Sequence, residues 1–295
     1  MSTFGVFLFP HVAPYSGVMA LARRAEQLRF DHAWVADQTP MSAPDAIRFE
    51  AWTLLAALAR DTSRIRLGTL VTSAPFRHPL ILATAATTVD HASDGRLTVG
   101  IGAGGLPEDL AGVGLAGASG RELAGRLAEQ LDTVDRLLRG ETVTRSEGYY
   151  PLADARVERP VQQPRPPIAV AAQGPRTLAL AARYADMWSS LGGQPLLGER
   201  IGDREALDAA RRQLDTLAEA CVAMGRDPAS IRRSVMTWRT SAYASLQAMV
   251  DWVGSYQKLG YDDFVLYWVG DPAIDEVTNR FAAERMAGLQ RTEQY

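Results

Sequence analysis

The sequence predicts a closed parallel α/β barrel of eight strands, the (β/α)8 or TIM-barrel architecture, forming one domain over residues 1–295. Three observations predict it. Strand-like and helix-like patterns alternate along the chain, which implies parallel strands joined by crossover helices. The segment from Arg64 to Gly105 contains a complete strand–helix–strand unit, with glycines at the carboxyl ends of both strands, where parallel α/β proteins bind ligands. Strand candidates number eight, which suits closure better than an open doubly wound sheet. That sheet is the competing architecture, and no GxGxxG opens the first helix as its dinucleotide-binding version requires.

The elements follow in order. Phe4 to Phe9 is strand-like, and Ser16 starts a helix with Val18, Leu21, Ala25 and Leu28 on its apolar face. His32 to Ala36 is the second strand, ending at Asp37, and Glu50 to Arg60 is a helix. Ile65, Leu67, Leu70 and Val71 form the third strand. Pro79 to Ala92 is a helix stopped by Asp94-Gly95, and Leu97, Val99 and Ile101 form the fourth strand. Leu123, Leu127, Leu131, Val134 and Leu138 share one face of a helix over 121–139 that Gly140 closes. After a turn-rich stretch from Tyr149 to Pro167 come a strand over 168–172, a helix over 175–184 and a short strand at Met187 and Trp188. A long helix over 204–224, a strand around Val235 to Trp238, a helix over 245–259 and a last strand over 264–269 complete the series.

Composition narrows the function. The formal charge of −3 supplies no basic field, so a nucleic-acid partner is not expected. The single cysteine, Cys221, rules out an internal disulfide and reads as an ordinary helix residue of a protein in a reducing compartment. The N-terminal apolar run is too short for a signal or a membrane span, so a cytoplasmic location is expected.

The four histidines, His11, His32, His78 and His91, show no metal-binding spacing, and no GxSxG elbow appears, so no metal is expected and no catalytic residue is assigned. Gly100 to Gly105 lacks the GK[ST] ending of a phosphate loop and reads equally as a tight strand exit. The glycine-rich run over 112–120 suggests a mobile loop, taken here as 105–120, though a plain surface connection also fits. Asp262 and Asp263 precede the last strand and read as a solvated pair at the end of the barrel that serves stability. A barrel mouth with few acid–base candidates and many aromatics suggests that a bound cofactor carries the chemistry.

Four segments together, FGVFLFP, FDHAWVADQTP, GTLVTSAPFRHP with DHASDGRLTVGIGAG, and PVQQPRPPIAVAAQGPRTLALAARYADMW, resemble the luciferase-like flavin and deazaflavin oxidoreductases over almost the whole chain. The resemblance implies FMN or coenzyme F420 at the carboxyl ends of the strands. It implies cofactor contacts by Asp37, by Leu70, Val71 and Thr72 of the third strand, and by Gly102, Ala103 and Gly104 of the fourth. It further implies that Gly174, Pro175, Arg176 and Thr177 hold the cofactor phosphate, which suits free N–H groups at a helix start. Relatives hold a non-prolyl cis peptide at the place of Leu70-Val71.

Departures from the family pattern matter equally. Asp37-Gln38 stands where deazaflavin-dependent sugar-phosphate dehydrogenases carry Asp-His, and their acid after the fourth-strand glycines corresponds to Gly105. Ala103 stands where light-emitting relatives place a phosphate-gripping arginine. The wording of GTLVTSAPFRHP favours F420, with FMN the alternative. The expected function is hydride transfer or monooxygenation of a small organic substrate, held by Phe9, His11, Trp188 and Trp268 unless these pack the wall. A non-catalytic flavin-binding protein is the competing class, and a homodimer is the assembly considered.

Overall fold

A computed structural model describes residues 2–8, 14–38, 49–268 and 270–292, with side chains to 286. Eight parallel strands close into a barrel in the order β1 (Thr3–Leu8), β10 (Asp263–Trp268), β9 (Arg232–Met236), β8 (Met187–Ser190), β7 (Ile168–Ala171), β4 (Leu97–Gly102), β3 (Arg66–Ser73), β2 (His32–Asp37). The predicted barrel is therefore the observed one. A short antiparallel hairpin, β5 (Val143–Arg145) with β6 (Leu152–Ala155), lies in the stretch read from sequence as turns.

The outer layer contains α1 (Tyr15–Gln27), α2 (Ala51–Asp61), α3 (Pro79–Ala92), α5 (Gly120–Leu138), α6 (Pro175–Tyr184), α7 (Asp203–Ala223), α8 (Leu246–Leu259) and α9 (Pro272–Thr292). A short helix, α4 (Pro107–Gly112), follows β4. Good start signals fix several of these helices: the Glu50 carboxylate accepts from the N–H groups of Trp52 and Thr53, and Ser119 and Ser245 accept from Glu122 and Ala248. Gly260, left-handed at φ 98°, ends α8.

Strand alternation creates two cores. Outward residues such as Val6, Leu8, Val35, Leu67, Val99 and Phe264 pack under the helices, while Phe7, Trp34, Leu70, Ala169, Met187, Met236 and Val265 fill the barrel. Cys221 is buried in the outer layer, as expected of an ordinary helix residue. Arg96 ties the base of the β3–α3–β4 unit, donating to the carbonyls of Ala59, Thr62, Ile65 and Ser93.

The base of the barrel interior is polar. Fully buried Asp263 accepts from Thr3 and from Ser234 (2.6 Å), and His32 Nε2 lies 3.4 Å away. The solvated-pair expectation is thus corrected: Asp262 accepts from the Arg233 N–H near the surface, but Asp263 points into the barrel because strand alternation turns it there. Burial alone would raise the Asp263 carboxyl; His32 and the hydrogen bonds from Ser234 and Thr3 outweigh it and hold the carboxyl below the ordinary range. Above this layer Trp34 plugs the barrel, with room made by Gly68, where a Cβ would lie 2.5 Å from the indole ring.

Candidate cofactor and substrate site

The mouth of the barrel holds a cavity of about 440 Å3, and each of the eight barrel strands contributes to it directly or through the residues just after it. It exists because the last inward positions of β2, β4, β7 and β8 are small. Ala36, Gly102, Ala171 and Ser189 line it, and beneath them Trp34 closes the barrel.

On one wall, β3 departs from regular pairing. Its register shifts against β2 and against β4 across Thr69 to Thr72, and the Leu70–Val71 peptide within this stretch is cis, as the resemblance implies. Leu70 and Val71 form a ridge lining the cavity. The glycines of β4 answer that ridge. A Cβ on Gly100 would be driven into the Thr69 carbonyl, and one on Gly102 would lie 2.6 Å from Val71 Cγ2. A tight exit from a barrel strand and a cavity-lining position are therefore combined in one glycine run.

Beside the ridge, Asp37 faces the cavity and is held by Arg77, whose Nε and Nη2 donate to its two carboxylate oxygens at 2.7 and 2.8 Å. Arg77 also pairs with Glu50, and its carbonyl accepts from Gln130. Burial alone would lower the Arg77 pKa, but Asp37 and Glu50 raise it, so the guanidinium stays charged. Arg77 Nη2 donates to both carboxylates, and the bidentate pair with Asp37 fixes that side chain at the mouth.

Further round the rim, α6 begins at Gly174, which lines the cavity together with Thr177. Pro175 and Arg176 are exposed just outside it. The first-turn N–H groups of such a helix have no acceptor within the helix, and its dipole favours an anion. Thr177 Oγ1 donates to the Gly174 carbonyl at 3.0 Å, tightening the turn.

The expected residues thus separate by position. Asp37, Leu70, Val71, Gly102, Ala103, Gly104, Gly174 and Thr177 line one cavity, with Pro175 and Arg176 at its rim. The Thr72 side chain is corrected: it faces α2, accepting from Trp52 Nε1 at 2.9 Å. Trp188 and Trp268 are corrected too, since both point outward into the core under the helices. Trp188 Nε1 donates to the Ala172 carbonyl and its ring meets Tyr261, while Trp268 packs on Phe30. Alternation explains both, because inward positions fall at Met187, Ser189, Val265 and Tyr267. Phe9 and His11 lie outside the described residues.

Residues 2–257 match the family model described as luciferase-like monooxygenase. The chain belongs to the luciferase-like monooxygenase family. Among its relatives in that family, 4-hydroxyprotoasukamycin monooxygenase of Streptomyces nodosus subsp. asukaensis is 34% identical over 215 residues, 68% of this chain and 55% of that one. F420-dependent hydroxymycolic acid dehydrogenase of Mycobacterium tuberculosis is 30% identical over 233 residues, 77% of this chain and 64% of that protein. The matches thus span between about half and two thirds of the length of these curated relatives. An F420-dependent secondary alcohol dehydrogenase in complex with an F420-acetone adduct has the same fold, with a TM-score of 0.77 at 18% identity over 93% of this chain and 96% of that one.

Against the luciferase-like frame, the cavity also holds residues that the sequence did not single out: Phe7, Asp109, Leu196, Trp238 and Tyr267. For Phe7 and Tyr267 the available signal was inward alternation from Thr3 and Asp263. For Asp109 it was an acidic first turn immediately after the β4 glycines. Trp238 follows β9 on an irregular turn, and nothing local in the sequence aims it at the mouth. The described residues include no cluster suited to a metal ion and no helix long and apolar enough to cross a membrane.

Proposed function

We propose that this protein is an F420-dependent oxidoreductase that moves a hydride to or from a small organic substrate at the barrel mouth. The observation that carries the reading is one cavity in which a flat apolar ridge, Leu70–Val71 over Gly102, shares its rim with the anion-suited start of α6. A planar ring needs apolar walls, and a phosphate needs backbone N–H groups at a helix start. The residues present fit that group: Leu70, Val71, Gly102 and Ala171 would hold the ring, and Gly174, Arg176 and Thr177 the phosphate. When bound, the deazaflavin supplies two-electron hydride chemistry.

The chain's own residues set the stage for that chemistry. Phe7, Trp238 and Tyr267 exclude water from the mouth, and burial keeps the Tyr267 phenol protonated by pushing its pKa up. Arg77 holds the Asp37 carboxylate at the mouth in one orientation. Asp109, buried on the first turn of α4, lines the same cavity and brings a carboxyl to it.

F420 is favoured over FMN because Ala103 brings no guanidinium to the end of β4 while the Gly174–Thr177 turn is intact, and because the Mycobacterium tuberculosis relative is named as F420-dependent. The test is a side-by-side titration of the purified protein with F420 and FMN, followed by ligand fluorescence. Saturable binding tighter for F420 is expected; equal or reversed affinities overturn the cofactor preference, and no binding of either overturns the function.

A further inference from the structure

We infer that the amino end of the barrel carries an anion site, in which Arg66 and Arg232 hold one small tetrahedral dianion, sulfate or phosphate, between them. This end lies away from the cofactor cavity, so the site stands independently of the proposed activity.

Strand order and alternation bring the two guanidiniums together. Counting round the eight strands, β9 is diametrically opposite β3. Arg66 stands two residues before Gly68, whose missing Cβ faces Trp34 inside the barrel, and Arg232 stands two residues before Ser234, which donates to the interior carboxylate of Asp263. Both arginines therefore start on the inward side of their strands at the lower rim. An eight-stranded barrel is just wide enough for its own side chains, so long side chains from opposite strands converge there. Arg66 is half-buried and Arg232 exposed, so ions in solution reach both.

The carboxylates at this end are engaged elsewhere. Asp263 accepts from Thr3 and Ser234, Asp186 pairs with Arg165 and Asp31 with Arg285, and among the described residues no carboxylate forms an ion pair with Arg66 or Arg232. The hydrogen bonds of Arg66 all leave from Nη2, to the Leu97 carbonyl at 2.7 Å, Gln162 Oε1 at 3.0 Å and Thr98 Oγ1 at 3.4 Å, so Nε and Nη1 keep their hydrogens for another acceptor. Arg232 makes one long bond, from Nη1 to Thr3 Oγ1 at 3.4 Å. Asp90 acts on Arg66 from behind Gln162, whose amide donates to it at 2.7 Å. Burial pushes the Arg66 pKa down, and the like charges of Arg232 and Arg96 add to that against the pull of Asp90. Arg96 is already committed to backbone carbonyls, so the repulsion left to relieve is that between Arg66 and Arg232. A tetrahedral dianion relieves it best. Its four oxygens offer an edge to each of two opposed guanidinium forks, whereas a carboxylate offers one edge alone.

Equilibrium dialysis of the full chain against radiolabelled sulfate, with sodium chloride holding the ionic strength constant, tests this. The measurement is made on Arg176→Ala, which removes the exposed charge at the start of α6 and leaves the amino end intact. Sulfate should bind that variant saturably and slow amide exchange at residues 64–66 and 230–234. Adding Arg232→Gln should weaken sulfate about tenfold or more, and Arg232→Lys should recover part of the loss because it keeps the charge without the fork. Arg232 is exposed, so both changes should leave the melting temperature without sulfate nearly unchanged. Absence of sulfate binding in Arg176→Ala, binding unchanged by Arg232→Gln, or equal slowing of exchange by chloride alone overturns the inference.

Discussion

At the base of the barrel the inward side chains of β1, β2, β9 and β10 begin with Thr3, His32, Arg232 and Asp263; two alternations further along the same strands stand Phe7, Ala36, Met236 and Tyr267. The first set closes on itself through Asp263, with Thr3 and Ser234 as donors and His32 alongside. The second set leaves a cavity. At the base the buried Asp263 carboxylate is satisfied by its donors Thr3 and Ser234, whereas small and aromatic side chains at the mouth leave surface for a ligand to bury. The same backbone thus separates its stability from its function along the strand axis.

That comparison breaks most severely at Gly100, between the two ends, where β3 and β4 are pressed together. Gly100→Ala places a methyl in the Thr69 carbonyl and should destabilise the protein by about 3 kcal/mol or more in urea unfolding. Gly174→Ala provides the contrast: a Cβ there meets nothing within 4 Å, so stability should change by less than about 0.5 kcal/mol. Equal losses at both positions would contradict the difference drawn between wall and rim.

Asp263→Asn probes the base next, with an expected loss of about 2–3 kcal/mol at neutral pH, because one buried charged acceptor is replaced by an amide. The sign of its pH dependence follows from the depressed carboxyl. Its contribution is complete above the ordinary value of 3.8 and is lost as pH falls through the lower value of the folded barrel. Thermal unfolding of the wild type from pH 5 to pH 2 should therefore fall more steeply than that of Asp263→Asn, while the two retain the same F420 affinity. Parallel acid profiles would mean that the carboxyl is not held low.

Arg176→Ala has the smallest effect on folding, within about 0.5 kcal/mol, because the side chain is exposed at the rim. It should nevertheless weaken F420 by about 1.5–3 kcal/mol if its charge meets the phosphate. A lowered melting temperature with unchanged binding would make Arg176 a structural residue.

Most of this organisation can be read from the sequence where local pattern and inward alternation coincide. The eight strands, the β4 glycines and the α6 start all announce themselves through short-range signals. The errors arise where facing matters more than element type. Trp188 and Trp268 sit at strand ends, as a mouth residue should, but one step of alternation sends each under the helices. Thr72 fails in the same way, with its hydroxyl taken by Trp52. The Asp37–Arg77 and Trp238–Pro195 contacts join residues 40 and 43 positions apart, and no periodicity encodes such partners. The β5–β6 hairpin escaped notice because it lies outside the repeating unit, while α9, the helix of the eighth βα unit, was missed although it follows the last strand.

Amide hydrogen exchange with and without saturating F420 tests the central claim most directly, because it reads the mouth and the base in one experiment. Added F420 should slow exchange at residues 70–76, 102–109 and 173–178, and leave 3–5, 64–66, 230–234 and 260–263 unchanged. Slowed exchange confined to the base, or no slowing at the mouth under conditions where F420 is bound, would contradict the placement of function at the carboxyl ends of the strands.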